Sequence, residues 1–245
     1  MKRVLFHGVG VASILTAVTL IPGVAALAAT LTATSITGSW NNVVLTDGSV
    51  DGGGTLTGVG TDQIRWGTTE GDKSGFDFTA SSTPLAIDTE IDFSLGEFTH
   101  FNFPVFPPSV TSADLNVSLD FGGTVQAFTY TFTNEETTNT IGGCPAFQQS
   151  TTACDDRITF GTGFTSSSFL IGTQEYTLQL VGFVESGSTS VVSEFITEEN
   201  AANRAALVGR LTTPPPVETV PEPMAIAALS VVGTFLIVRR RSTVN

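Results

Sequence analysis

The chain has 245 residues, room for one large all-β domain or two small ones with processing segments at the ends. Only 13% of the residues are charged, and 25 glycines and 18 phenylalanines favour strands and turns over long helices. The net charge of −13 argues against a nucleic-acid partner, because a polyanion repels the phosphate backbone.

The N-terminus has the three parts of a secretory signal peptide. Lys2 and Arg3 precede an apolar run, and the small-residue segment 24–29 contains an Ala-x-Ala cleavage site that ends at Ala28. We therefore predict that residues 1–28 are a signal peptide and that the export machinery is a partner of the chain.

Residues 29–211 are predicted to form one antiparallel β-sandwich of jelly-roll type. Short strands are expected over residues 31–40, 63–66 and 76–79. Apolar side chains alternate with polar ones over 115–121, 128–132 and 176–180, which is typical of a sheet covered on one face. Gly122 and Gly123 separate two of these runs and predict a hairpin.

The pattern changes near the end of this region. Residues 198–211 contain helix formers, with Glu198 and Glu199 at the start and Arg210 near the end, so we predict one short helix there. Residues 212–219 follow as a proline-rich, extended linker.

Cys144 and Cys154 are the two cysteines, and nine residues separate them in a polar, loop-like segment. In an exported chain this pair predicts a disulfide that ties down a long loop. A metal-binding or redox pair is the alternative, but the spacing is not Cys-x-x-Cys.

Outside the signal peptide the chain has one histidine, His100, and no Gly-x-Ser-x-Gly, His-Glu-x-x-His or phosphate-binding loop motif. We therefore predict that the protein is not an enzyme. A glycan-active hydrolase stays as an alternative, because such an enzyme needs only two suitably spaced carboxylates.

No cofactor is predicted with the exception of calcium, for which the signal is weak. Asp47 and Asp51 flank glycine-rich turns, and Asp155 and Asp156 follow the second cysteine. Loop carboxylates are the oxygen ligands that Ca²⁺ prefers, but none of these residues matches a known calcium loop. Solvated turn aspartates are the alternative interpretation.

Three aromatic residues, Trp40, Trp66 and Tyr130, would bind a surface glycan if they were exposed together, although such residues more often belong to a core. His100 and Asn102 are two positions apart and share one face of a strand, where they form either a structural polar pair or a ligand contact.

The last segment, residues 220–245, contains three parts in a fixed order: Val220, Pro221, Glu222 and Pro223; an apolar run over 224–238; and Arg239, Arg240 and Arg241. This order resembles the PEP-CTERM sorting signal of bacterial surface proteins. The resemblance implies a transmembrane segment at 224–238 and processing by an exosortase-like membrane enzyme. The arginines predict a cytoplasmic C-terminus with the β domain outside.

Residues 29–211 also resemble the choice-of-anchor K domain of bacterial surface proteins. The matching segments are GVGT at 58–61, IRWG at 64–67, LGEFTHFNFP at 95–104, TFTNEET at 131–137, DRITF at 156–160 and YTLQLVGF at 176–183. The resemblance implies a secreted, β-rich domain and no assigned activity.

The sequence therefore predicts an exported, non-catalytic protein of the cell surface or extracellular matrix, sorted through residues 220–245. A carbohydrate- or calcium-binding surface module is the first alternative, and a glycan-active hydrolase is the second.

Overall fold

The structure, a computed structural model, describes residues 29–49, 52–151, 153–161 and 167–214. These residues form thirteen strands: β1 (Thr30–Ala33), β2 (Ser35–Leu45), β3 (Gln63–Trp66), β4 (Ser74–Ala80), β5 (Leu85–Asp88), β6 (Asp92–Asn102), β7 (Val110–Asp120), β8 (Val125–Glu135), β9 (Asp156–Phe160), β10 (Ser167–Ile171), β11 (Gln174–Glu185), β12 (Glu194–Thr197) and β13 (Ala201–Thr212).

Two large antiparallel sheets make a sandwich-like arrangement, as the alternation of apolar and polar residues predicts. One has six strands in the order β10-β11-β13-β6-β4-β3, and the other has five in the order β12-β9-β8-β7-β2. Strands β1 and β5 form a separate two-stranded ribbon. The predicted antiparallel all-β class is therefore confirmed.

Strands that were expected from period-two alternation have one buried and one solvated face. In β7 the side chains of Leu115, Val117 and Leu119 are buried, while the residues between them are half-buried. The predicted hairpin at Gly122 and Gly123 connects β7 to β8, and both glycines adopt positive φ, a conformation that glycine reaches without strain. Strand β3 has the predicted bounds.

The core between the sheets is dominated by aromatic rings. Trp40 on β2 lies 5.2 Å from Phe76 on β4, and Phe98 on β6 lies 5.3 Å from Phe132 on β8, as measured between ring centroids. Each of these contacts joins one large sheet to the other. Ring pairs at such distances add to the stabilisation that comes from burying their area.

A glycine allows one of these contacts across the sandwich. A side-chain carbon at Gly38 in β2 would lie only 2.2 Å from Cδ1 of Phe78 in β4. The backbone of β2 and the ring of Phe78 therefore pack at a separation that only glycine permits.

The short helix predicted over residues 198–211 is wrong. This segment forms the turn after β12 and then strand β13, which pairs with β11 on one side and β6 on the other. Ala205, Leu207 and Leu211 point into the core, whereas Arg204 is exposed. Hydrogen bonds to two neighbouring strands and burial of one face outweigh the weak helix preference of alanine, leucine and arginine.

No helix long and apolar enough to cross a bilayer occurs among residues 29–214, as far as the structure describes them. The predicted signal peptide, the end of the linker and the sorting tail, with its transmembrane segment at 224–238, lie outside the described residues.

Candidate functional site

The three residues proposed as ligand contacts lie in the interior. Trp66, His100 and Asn102 each have 0% of their surface exposed. The Trp66 ring packs edge-on against Phe76, with the centroids 4.8 Å apart, and stacks near the His100 ring. Trp40 and Tyr130 are buried as well, so none of these aromatic side chains is available to a glycan at the surface.

His100 and Asn102 do share one face of β6, and that face is turned inward to a polar network with β12. The Nδ2 of Asn102 donates to the Thr197 carbonyl oxygen at 3.1 Å. Nδ1 of His100 lies 2.9 Å from the Thr197 hydroxyl, which itself donates to the Asp156 carbonyl oxygen at 3.3 Å. The hydroxyl has one proton, so His100 is the donor in this pair.

Burial of the His100 ring lowers its pKa to about 3, so the imidazole stays neutral at physiological pH. This network hydrogen-bonds the six-stranded sheet to the five-stranded one through Thr197.

The calcium candidates separate into two groups. Asp47 lies in an exposed turn, where its Oδ1 accepts a hydrogen bond from the Ser49 backbone amide at 2.9 Å, which lowers the pKa of its carboxyl. Asp51 lies outside the described residues. Asp155 and Asp156, by contrast, are 1% and 0% exposed.

Asp155 is held by the disulfide loop. The sulfur atoms of Cys144 and Cys154 are 2.07 Å apart, so the predicted disulfide is confirmed. Asp155 directly follows this loop, and its Oδ2 accepts hydrogen bonds from the backbone amides of Gln149 and Ser150 in the loop, at 2.6 and 2.8 Å. Asp155 therefore has a structural role in closing the loop just before β9.

Asp156 lies in a cluster of carboxylates that the sequence did not bring together. The register pairs Glu135 of β8 with Arg157 of β9, so Glu136 follows β8 beside Asp156. The same strand β9 pairs Asp156 with Thr197 at the end of β12, and Glu199 lies in the next turn. We call Glu136, Asp156 and Glu199 the acidic cluster.

The members of the acidic cluster disfavour one another's charge. Burial is the first cause of a rise in the pKa of Glu136 to about 8, and the charges of Asp156 and Glu199 add to it. Burial, with the charge of Asp156, raises the pKa of Glu199 to about 7. Burial raises the pKa of Asp156 to about 6, although hydrogen bonds from Thr137 act in the opposite direction.

Several oxygens in and beside the cluster lack a hydrogen-bond partner. They are Asp155 Oδ1, Asp156 Oδ2, both carboxylate oxygens of Glu199 and the amide oxygens of Asn102 and Asn134. The backbone amide of Asn200 is near enough to Glu199 to lower the pKa of its carboxyl, but it makes no hydrogen bond of ordinary geometry to either carboxylate oxygen. Buried polar atoms without partners are uncommon in folded proteins and require an explanation.

Sequence reasoning identified Asp156 in this cluster and missed Glu136 and Glu199. Glu199 was assigned to the predicted helix, and Glu136 stood in a motif taken only as part of a resemblance. The guanidinium of Arg65, next to Trp66, lies over the Phe101 ring, with its Cζ 3.3 Å from the ring centroid, and donates to the Lys73 carbonyl oxygen.

No protein-family model and no curated protein matches the chain. The interpretation of the acidic cluster therefore depends on its geometry, and the two resemblances stated above remain predictions.

Proposed function

We propose that the chain is an exported, non-catalytic protein of the bacterial cell surface or extracellular matrix, sorted through residues 220–245. The observation that carries this proposal is the fixed order of three parts in that segment: a Pro-Glu-Pro sequence, an apolar run and three arginines. The N-terminal signal peptide predicted over residues 1–28 supports export by an independent signal.

The described domain is consistent with delivery to an oxidising compartment. Cys144 and Cys154 lie at bonding distance, and disulfides of this kind persist outside the cytoplasm. A two-sheet antiparallel sandwich is also a frequent architecture of cell-surface domains, although fold alone does not assign a function.

The tail is proposed to be a temporary anchor. Residues 224–238 would span about 22 Å as a helix at 1.5 Å per residue, which is less than the hydrocarbon thickness of about 30 Å. A span this short is a marginal permanent anchor, and an exosortase-like enzyme that cuts near Pro223 would release the domain. A permanent single-span anchor is the competing hypothesis.

The mass of the intact protein isolated from its native host tests this proposal. We expect an N-terminus near Ala29 and loss of the residues after about Pro223. A matched sample with Pro221, Glu222 and Pro223 replaced by alanine should keep its tail and stay in the membrane fraction. A native protein that starts at Met1 and ends at Asn245 would contradict both export processing and tail removal.

A further inference from the structure

The acidic cluster places three carboxylates where few groups compensate their charge. Asp156 and Glu199 are 0% and 3% exposed, and Glu136 is half-buried. Among the described residues, the ion pairs involve Arg157, Arg204 and Arg210, and none of them reaches a member of the cluster. An ionised carboxylate that is buried without a cation or a full set of donors is strongly unfavourable.

Three carboxylate oxygens of the acidic cluster have no hydrogen-bond donor. Asp156 uses Oδ1 to accept the Thr137 backbone amide at 2.7 Å, and its Oδ2 has no donor. Neither carboxylate oxygen of Glu199 has one. These are surplus acceptors in a buried place, and a bound cation satisfies several acceptors at once.

A buried amide group contacts the cluster and has an oxygen without a partner. Asn134 is 4% exposed, and its Nδ2 donates to the Val110 carbonyl at 3.0 Å and to Glu136 Oε2 at 3.4 Å. The second of these contacts joins the amide group directly to the cluster. Its Oδ1 is left with no donor, although it is buried. Carboxylates together with a side-chain amide oxygen are a typical ligand set for calcium.

We propose that Glu136, Asp156 and Glu199, together with the amide oxygen of Asn134, form a binding site for Ca²⁺. The ligands are all oxygens, which favours a hard cation over zinc, a metal that prefers nitrogen and sulfur. Calcium also accepts irregular coordination and longer bonds than magnesium, so it suits ligands from a strand end and a turn.

Binding requires the carboxylates to close around the ion. In the described parts of the chain, no three acidic, histidine or cysteine side chains already surround one point as metal ligands. Glu136 follows the end of β8 and Glu199 lies in the turn between β12 and β13. Both lie outside regular strands, so closure needs side-chain rotation and a local adjustment of the turn rather than a change in the sheets.

The site has a consequence for the arrangement of the sheets. Glu199 lies in the connection that leads from β12 in the five-stranded sheet to β13 in the six-stranded sheet, whereas Asp156 and Asn134 lie on β9 and β8. A cation bound by all of them ties this connection to the end of the five-stranded sheet. Calcium is therefore expected to stabilise the fold.

Calorimetric titration of the full chain with CaCl₂ tests the proposal, after bound metal has been removed with EGTA and at pH 8. We expect one saturable site in the titration. In thermal unfolding at a calcium concentration of about 100 times the Kd, we expect the Tm to rise by about 5 to 10 °C. The variants Glu136→Gln, Asp156→Asn and Glu199→Gln should each weaken calcium binding about tenfold or more. In EGTA, Glu199→Gln should fold at least as well as the wild type, so loss of binding is separable from unfolding.

Two matched controls locate the site. Glu97→Gln removes an exposed carboxylate that pairs only with Arg204, and Asp47→Asn removes the exposed turn candidate. Both variants should bind calcium as the wild type does. The proposal is overturned by the absence of saturable binding, by unchanged affinity in all three cluster variants, or by loss of binding in Asp47→Asn. Equal affinity for MgCl₂ would overturn the assignment of calcium.

Discussion

The aromatic centre of the sandwich and the acidic cluster are both largely shielded from water, but their side chains relate to their neighbours in opposite ways. Phe98 of the six-stranded sheet meets Trp40 and Phe132 of the five-stranded sheet at centroid distances of 5.9 and 5.3 Å, and each ring gains from its neighbours. Asp156 and Glu199 also lie close together, yet each raises the free energy of the other's charged form. Burial thus stabilises one region directly, whereas the other needs a proton or a cation.

The largest expected effect comes from opening the aromatic centre. Phe98→Ala removes a ring that is 0% exposed and contacts Trp40 and Phe132, so we expect a loss of about 3 to 5 kcal/mol in the free energy of unfolding. Urea unfolding followed by tryptophan fluorescence measures this loss. Val125→Ala, at a position that is 59% exposed, is the matched control and should change stability by less than about 0.5 kcal/mol. A loss below about 1 kcal/mol for Phe98→Ala would contradict this packing.

The second effect concerns the loop that leads into the acidic cluster. Replacing both Cys144 and Cys154 by serine should cost about 2 to 3 kcal/mol, because the unfolded chain is then no longer closed into a short loop. The loss should appear in urea unfolding of the variant. Wild-type protein treated with a reductant should show the same loss, and an unchanged midpoint in both samples would argue against a stabilising disulfide.

The smallest expected effect is a pH dependence of the free energy of unfolding, which arises in the acidic cluster and not in the aromatic centre. In EGTA, folded Glu136 and Glu199, with pKa values of about 8 and 7, keep protons between pH 6.5 and 8.5 that the unfolded carboxyls have already lost. The folded state binds more protons in this window, so the free energy of unfolding should fall by about 1 kcal/mol as the pH rises through it.

Other titratable groups near the cluster change stability mainly below pH 6.5, which sets the lower limit of this window. Asp156, with a pKa of about 6, titrates just below the window. His100 stays neutral in the folded state down to about pH 3, whereas the unfolded histidine gains a proton below about pH 6.5. The unfolded state then binds more protons, so the contribution of His100 to stability falls as the pH drops below 6.5. The charges of Glu135 and Asp155 also act on Asp156. Glu199→Gln should reduce the slope between pH 6.5 and 8.5, leaving the contribution of Glu136, and should raise stability at pH 8 by about 1 to 2 kcal/mol in EGTA. An unchanged slope in this variant would show that Glu199 does not titrate in this window.

Much of the fold was predictable because its signals are local. The alternation at Leu115, Val117 and Leu119 reports which face of a strand is buried, and a glycine pair between two such runs marks a hairpin. The spacing of Cys144 and Cys154 likewise indicated a short closed loop. Strand β13 could not be predicted in this way, since its alanines, leucines and arginines also suit a helix and only its two partner strands decide the matter.

By itself, the sequence determined the all-β class, the disulfide and the ordered parts of the tail on which the proposed sorting depends. Only the tertiary structure decided that His100 and Asn102 face inward and that Glu136, Asp156 and Glu199 become neighbours. The physical reason is strand register. Residues 136, 156 and 199 are far apart along the chain, and the pairing of β8 with β9 and of β9 with β12 brings them to one end of a sheet.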